Sequence, residues 1–425
     1  MHKNLILAAL ILTGAAQAQR GNFDEALAGD LPLPPALVCQ DGSPVTTAAA
    51  WTTKRRPELL ALFEEHVYGR PPATTGTPAF AIKEVKTDAL GGSATRKLIQ
   101  ITLPDHPAWP GMQVMVYLPN NLAGPAPCFV GLSFGGNHAV SREPDVPLST
   151  RWMPAAKGGL VVDHRATDAS RGSEASRWPL EKILASGFAV ATAYYGDLEP
   201  DSPDGWKTGL RAALTPAGLT PPAAQRNGDP GAIATWAWGL SRILDYLATD
   251  PAIDASRCAV IGHSRLGKTA LWAGARDPRF AMVIPNNSGE GGAALMRRNF
   301  GETTASMTRA FPHWFTPTYK AYANNPAACP VDQHELIALV APRPLYLACA
   351  NDDAWADPRG EFLAALNASP VYELLGQPGL ATATQPPLNS PVGGKLRYHL
   401  RTGVHDLTNY DWSEFLSYAK IHLQR

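Results

Sequence analysis

Charge of either sign is scarce in this chain, and it cancels. Lys and Arg number 37, Asp and Glu 37, and charged residues make up 17% of the 425 positions. With no basic tract and no acidic tail, nothing supplies the electrostatic footprint that nucleic acid or an anionic membrane surface requires. Cysteine is also rare. The five thiols, at 39, 128, 258, 329 and 349, are odd in number and show no metal-ligand spacing. Cys128, Cys258 and Cys349 fall in apolar runs and read as small buried residues. A bridge between Cys39 and Cys329 would need an oxidising compartment, and no spacing argues for it. No apolar run, the one in the first dozen residues included, approaches the length of about 20 that a bilayer-spanning helix needs. No internal repeat is apparent.

What is plentiful is apolar surface, Pro and Gly. Hydrophobic residues make up 45% of the chain, enough for a sizeable core, and 39 Pro with 37 Gly imply many loops on regular elements. The start, residues 1–18, has the order of an export signal: basic "MHK", apolar "LILAALIL", then Ala16-Gln17-Ala18 as a cleavage site. The expected product begins near Gln19 and is periplasmic or secreted. Residues 19–80 read as an N-terminal arm with one helical patch, "PELLALFEEHVYG".

From residue 96 strand and helix signals alternate. "RKLIQITL" and "MQVMVYLP" predict early antiparallel strands. "PCFVGLSF", "GFAVATAYY", "CAVIGHS", "FAMVIPNN", "PRPLYLACAND" and "KLRYHLR" predict the strands that follow. Helical spacing marks "AIATWAWGLSRILDYLATD", the segment after "CAVIGHS", "PRGEFLAALNA" and "WSEFLSYAKIHL". Short apolar runs separated by helices imply a mostly parallel sheet covered on both faces, a three-layer α/β/α sandwich in one catalytic domain over 19–425. The stretches 139–178, 199–230 and 368–394 are too long for simple connections. The first two are expected to form walls or lids of the functional site, and the third a surface excursion.

The segment "VIGHSRLGKTALW" carries the chemistry. A strand runs into Gly262-His263-Ser264-Arg265-Leu266-Gly267 and a helix follows. The small residues and the strand–turn–helix context are those of a nucleophile elbow, one residue longer than G-x-S-x-G, and the sandwich is read as an α/β-hydrolase fold. Ser264 is the candidate nucleophile; a plain Ser helix cap is the competing reading. The backbone N–H of Arg265 and its guanidinium are expected at a developing oxyanion. In this fold the acid and then the base follow the serine in the chain. His405, in the loop between the last strand and last helix, is the candidate base, while His399 and His422 read as structural. Asp352 or Asp353, after the penultimate strand, is the candidate acid. Asp352 is nearest the expected position, and the sequence leaves the choice open. Gly135 and Gly136, in "LSFGGNHAV", are candidate carriers of a second oxyanion donor. Lys268 lies one helical turn past Ser264, on the side of the site, a spacing that also fits a surface lysine. Trp236 and Trp272 read as core.

The stretch "GHSRLGK" resembles the nucleophile motif of the glucuronoyl esterases, carbohydrate esterase family 15. The similarity continues through "IPNNSGEGGAALMRR", "NDDAWADPRGEF" and "TGVHDLTNYDW", over about residues 95–425. The resemblance implies cleavage of the ester between (4-O-methyl)glucuronic acid of glucuronoxylan and a lignin alcohol, with no metal and no cofactor. It also implies that Ser264, Arg265 and His405 act in catalysis, that Lys268 and Glu302 contact sugar hydroxyls, and that Trp355 packs on the uronate. One position departs from the fungal pattern, where the residue after "IP-x" is the catalytic glutamate. Here it is Asn287, so the acid is expected at Asp352 or Asp353, with Glu290 the weaker candidate. The alternatives are an acetyl-xylan or other carbohydrate esterase, and a weakly active carbohydrate-binding relative. A monomer is expected, with no membrane or nucleic-acid partner.

Overall fold

A computed structural model describes residues 21–29, 32–74, 76–216 and 219–424. The expected leader, 1–18, lies outside the described residues. Ten strands form one sheet: β1 (Ala79–Ala89), β2 (Ala94–Thr102), β3 (Met112–Pro119), β4 (Ala126–Ser133), β5 (Ala189–Tyr194), β6 (Ile253–His263), β7 (Met282–Asn286), β8 (Leu345–Ala350), β9 (Val392–Gly393) and β10 (Leu396–Arg401). Their spatial order is β1-β2-β3-β5-β4-β6-β7-β8-β10-β9. The six from β5 to β10 in that order pair parallel, and the flanking pairs are antiparallel.

The central strands are buried on both faces, which is why they read as unbroken apolar runs rather than as alternation. In β4, Cys128, Val130 and Leu132 enter one core and Phe129 the other. The larger core takes in α1 (Arg56–Phe63), α3 (Ala232–Leu247), α4 (Arg265–Arg276), α5 (Gln333–Ala338) and α6 (Pro358–Leu374). The smaller is closed by α2 (Leu180–Ala185) and α7 (Asn409–Leu423). This is the expected layered architecture. Trp236 and Trp272 are core residues, as expected. All five cysteines are free and buried, so the Cys39–Cys329 bridge does not form.

Two elements differ from expectation. Strand β1 was not foreseen: its side chains are mostly solvent-exposed, including Ile82 and Val85, so an edge strand left no apolar pattern to read. Helix α6 continues to Leu374 through Pro370, beyond the expected "PRGEFLAALNA", and shortens the excursion. The N-terminal arm is part of the larger core. Tyr68 stacks on Trp272 with centroids 4.5 Å apart, and Arg56 donates to the Ala275 carbonyl at 2.7 Å.

The crossing from β6 into α4 is unusually tight. A Cβ on Gly262 would stand 2.0 Å from the Leu266 carbonyl oxygen, and one on Gly267 would stand 3.0 Å from that of Asn286. Glycine lets the helix start directly against the strand it leaves. Gly262→Ala is expected to destabilise the protein by about 2–3 kcal/mol through overpacking against backbone. Thermal denaturation checks this, and a variant melting with the wild type would contradict the close approach.

Candidate active site

Ser264 occupies that crossing with φ 58° and ψ −128°. A non-glycine residue there stores on the order of 1–3 kcal/mol of strain, which the surrounding structure must hold. It is held by the Ser264 N–H, which donates to the Asn286 carbonyl on β7 at 2.9 Å, and by the Gly267 and Lys268 N–H groups, which donate to the Ser264 carbonyl. The serine is half-buried at the N-terminus of α4, where the first N–H groups lack intrahelical acceptors. Among them is the Arg265 N–H.

The loop after β10 brings His405 to this turn. Its path is shaped by Arg401, whose Nη2 donates to the carbonyls of Val404 and Asp406 at 3.0 and 2.6 Å while Nε donates to Asp411 at 2.8 Å. The His405 ring lies 4.5 Å, centroid to centroid, from that of His263, the residue before Ser264. His405 Nδ1 meets Asp353 Oδ2 at 2.5 Å. The Asp353 side chain is 1% exposed and the His405 side chain 35%, so the carboxylate is sheltered and the imidazole is open to solvent. Asp353 is fixed from two further sides, by the Asn287 amide donating to Oδ2 at 2.7 Å and the Ala356 N–H donating to Oδ1 at 3.3 Å. A carboxylate with these partners orients the imidazole and stabilises its cation.

Three sequence expectations are resolved here. Asp352 does not reach His405: it is exposed, accepts from Asn351, and braces the loop by donating its N–H to the Gly403 carbonyl. Glu290 lies elsewhere. It accepts from Thr304 and Tyr319 at 2.6 Å each, and burial pushes its carboxyl up to about 8. Asn287, at φ 45°, does not leave the site without an acid, because its amide holds Asp353 in place. His263 keeps its imidazole neutral. Burial and the neighbouring His405 lower its pKa well below the ordinary value, and Nδ1 faces Asn286 Oδ1 at 2.6 Å.

The oxyanion expectations change more. The Phe134 N–H donates to the buried Glu174 carboxylate at 3.2 Å, and the Gly135 amide lies beside the same group. Burial pushes Glu174 up to about 7 against the pull of Arg177 and those amides. Gly136, at φ 92°, serves as the acceptor that starts the short helix Asn137–Val140. The Arg265 guanidinium is clamped rather than free. It pairs with Asp201, lies 4.8 Å from the Trp314 ring centroid, and stands within 6 Å of Phe134 and Phe311. Asp201 also accepts from His313 and Trp314 at 2.7 Å each. Burial opposes its ionisation, but His313, Arg265 and Trp314 outweigh burial and bring its carboxyl down to about 2. The positive charge beside Ser264 is therefore fixed in direction and partly compensated.

One turn further along α4 the expected sugar contacts converge. Lys268 is buried and donates to the Ser288 carbonyl at 2.5 Å and to Glu302 Oε2 at 2.6 Å. The Glu302 N–H donates to the Trp355 carbonyl at 2.7 Å, and Trp355 is half-buried two residues after Asp353. Burial removes the surface-lysine reading. Asp201, Phe134, His313 and Trp314 were not legible in the sequence: no motif marks them, and they reach Arg265 from three separate connections. Among the described residues no group of three or more His, Cys, Asp or Glu side chains is placed to hold a metal ion.

The chain is similar in sequence and fold to known proteins. Residues 225–376 match the family model for glucuronyl esterase of fungi. The chain is 42% identical over its whole length to carbohydrate esterase MZ0003 from an unknown prokaryotic organism, of which it covers 99%. It is 40% identical over 156 residues to 4-O-methyl-glucuronoyl methylesterase 1 of Wolfiporia cocos, 35% of this chain and 38% of that one. The solved glucuronoyl esterase from Solibacter usitatus superposes with a TM-score of 0.86 at 49% identity, covering 93% of this chain and 99% of the other.

Asp353→Asn is expected to lower kcat for an activated ester about 10³–10⁴-fold, whereas Asp352→Asn stays within about twofold of wild type. Steady-state kinetics separates the two, and equal losses would undo the assignment. Glu290→Gln should keep turnover while changing stability with pH. The folded carboxyl titrates near 8 against an ordinary 4.5, so the unfolded chain loses its proton first. Wild-type stability from this group is present below 4.5 and is lost as pH rises to about 8. Denaturant unfolding at pH 5 and pH 8 should show the variant gaining on wild type as pH rises.

Proposed function

The chain belongs to the glucuronoyl esterases, carbohydrate esterase family 15, and we propose that it cleaves the ester joining (4-O-methyl)glucuronic acid of glucuronoxylan to a lignin alcohol. Glucuronoyl esterases are carboxylic ester hydrolases, and the chemistry follows from the residues. Ser264 Oγ attacks the uronate carbonyl while His405 Nε2 takes its proton. Asp353, hydrogen-bonded to Nδ1, stabilises the imidazolium. The oxyanion forms at the N-terminus of α4, beside the Arg265 N–H and the clamped guanidinium. Collapse returns the proton to the leaving alcohol. Water, deprotonated by His405, then opens the acyl-enzyme and releases the uronate and Ser264.

The observation that carries the substrate assignment is the convergence of two constellations on one helix. The Ser264–His405–Asp353 set stands at the start of α4, and one turn later Lys268 is buried against Glu302 beside Trp355. Lys268 offers donors and Glu302 acceptors to ring hydroxyls, while the indole suits the apolar C–H face of a pyranose. An acetyl group has no use for these contacts. Export supports access to a wall polymer and rests on the order of basic, apolar and small residues at 1–18. No helix among the described residues is long and apolar enough to cross a membrane. We assign the active unit as a monomer acting on glucuronoxylan–lignin esters.

The test is hydrolysis of benzyl glucuronate beside 4-nitrophenyl acetate. The expected result is uronate-ester turnover that falls by about 10⁴-fold or more in Ser264→Ala, with weak acetate turnover. Acetate turnover alone would transfer the protein to the general carbohydrate esterases. Turnover of neither would favour a binding relative.

A further inference from the structure

Trp355 does not stand alone at the rim of the site. Residues 21–29 run beside 297–301 and are fastened to them. Gly29 N–H donates to the Arg298 carbonyl at 2.6 Å, Gly301 N–H to that of Asn22 at 2.6 Å, and Asn22 Nδ2 to that of Asn299 at 2.9 Å. Arg298 completes the attachment by gripping Glu25 at 2.6 Å and Asp357 at 2.9 Å. Gly301, at φ 64°, passes so close to Trp355 that a Cβ there would meet its carbonyl oxygen at 2.4 Å. The fastening presents Phe23. Its ring centroid lies 6.2 Å from Trp355, tilted by 31°, and 6.3 Å from Phe300, edge-on.

Phe23 remains 45% exposed, although its segment is anchored at both ends. Phe300 is two residues before Glu302, and Trp355 is two after Asp353. The three rings therefore lie beside the Lys268–Glu302 pair, with Phe23 the most exposed of them. The patch is small and rimmed by charge, with Glu25 on one edge and Arg298 5.0 Å from the Phe300 ring centroid. An apolar face with polar edges matches a pyranose, which has the same division between its C–H face and its hydroxyls.

We propose that Phe23, with Phe300 and Trp355, forms a second sugar subsite that receives a neutral pyranose of the polysaccharide next to the uronate. The proposal rests on the glucuronoyl esterase reading and goes beyond it, since it assigns the N-terminal arm a role in recognising the chain rather than the ester. The patch is tied to the Lys268–Glu302 side through Trp355, whose carbonyl accepts from the Glu302 N–H at 2.7 Å, and so a sugar of the polysaccharide is the occupant assigned to it.

The experiment compares benzyl glucuronate with the benzyl ester of a glucuronate-bearing xylo-oligosaccharide, using wild type, Phe23→Ala and Phe23→Tyr. The expected result for Phe23→Ala is a KM raised about tenfold on the oligosaccharide ester, with kcat and both constants for benzyl glucuronate unchanged. Phe23→Tyr should restore the KM, and an unaltered melting temperature should accompany both variants. Equal KM values for wild type and Phe23→Ala on the oligosaccharide ester, or equal losses on both esters, would overturn the subsite. A wild type that turns over 4-nitrophenyl acetate but neither uronate ester would overturn the function reading itself and the subsite with it.

Discussion

A serine held at positive φ between a strand end and a helix start is the constraint from which the rest of the site follows. Once Gly262 and Gly267 allow α4 to begin against β6, the helix direction decides everything that Ser264 can meet. Its first residue, Arg265, projects toward the connection that carries Asp201. Its fourth, Lys268, turns inward toward Glu302. Ser264, Arg265 and Lys268 thus sit on one rigid element, so their mutual geometry does not depend on loop motion.

The acid is placed with equal economy across two neighbouring strands. β7 ends in Asn286 with Asn287 just beyond it, β8 leads into the turn that carries Asp353, and the side chains cross between them. Asn287 donates to the carboxylate that holds His405, and Asn286 faces the ring of His263, on which His405 rests. An amide at the end of β7 and a carboxylate after β8 together supply one acceptor and one clamp. Two carboxylates in the same space would repel, and one would be forced to take up a proton. The amide avoids that conflict.

Connections outside the sheet supply the remaining walls. The stretch 199–230 brings Asp201, which fixes the Arg265 guanidinium with help from His313 and Trp314. The stretch 139–178 brings Glu174, which occupies amides after β4. The N-terminal arm packs Tyr68 into the larger core and lays Phe23 against Trp355. None of these residues sits in a motif, because a wall is defined by what it faces and not by its chain neighbours.

By itself the sequence determined the layered α/β class, through apolar runs of strand length that only doubly covered strands can use. It also marked the tight strand-to-helix crossing at Ser264, through the small residues on either side, and pointed to His405 and to Asp352 or Asp353 as the groups to look for near it. Helical spacing was enough to bring Lys268 to the side of Ser264. Tertiary structure alone decided between Asp352 and Asp353. They are adjacent in the chain, and only the direction of the turn after β8 sends one into the core and the other to solvent. It also decided that Phe134 gives its amide to Glu174, that Arg265 is clamped, and that the exposed strand β1 belongs to the sheet. Each of these depends on a partner from a distant connection, and a one-dimensional pattern carries no record of which connection will lie across from it.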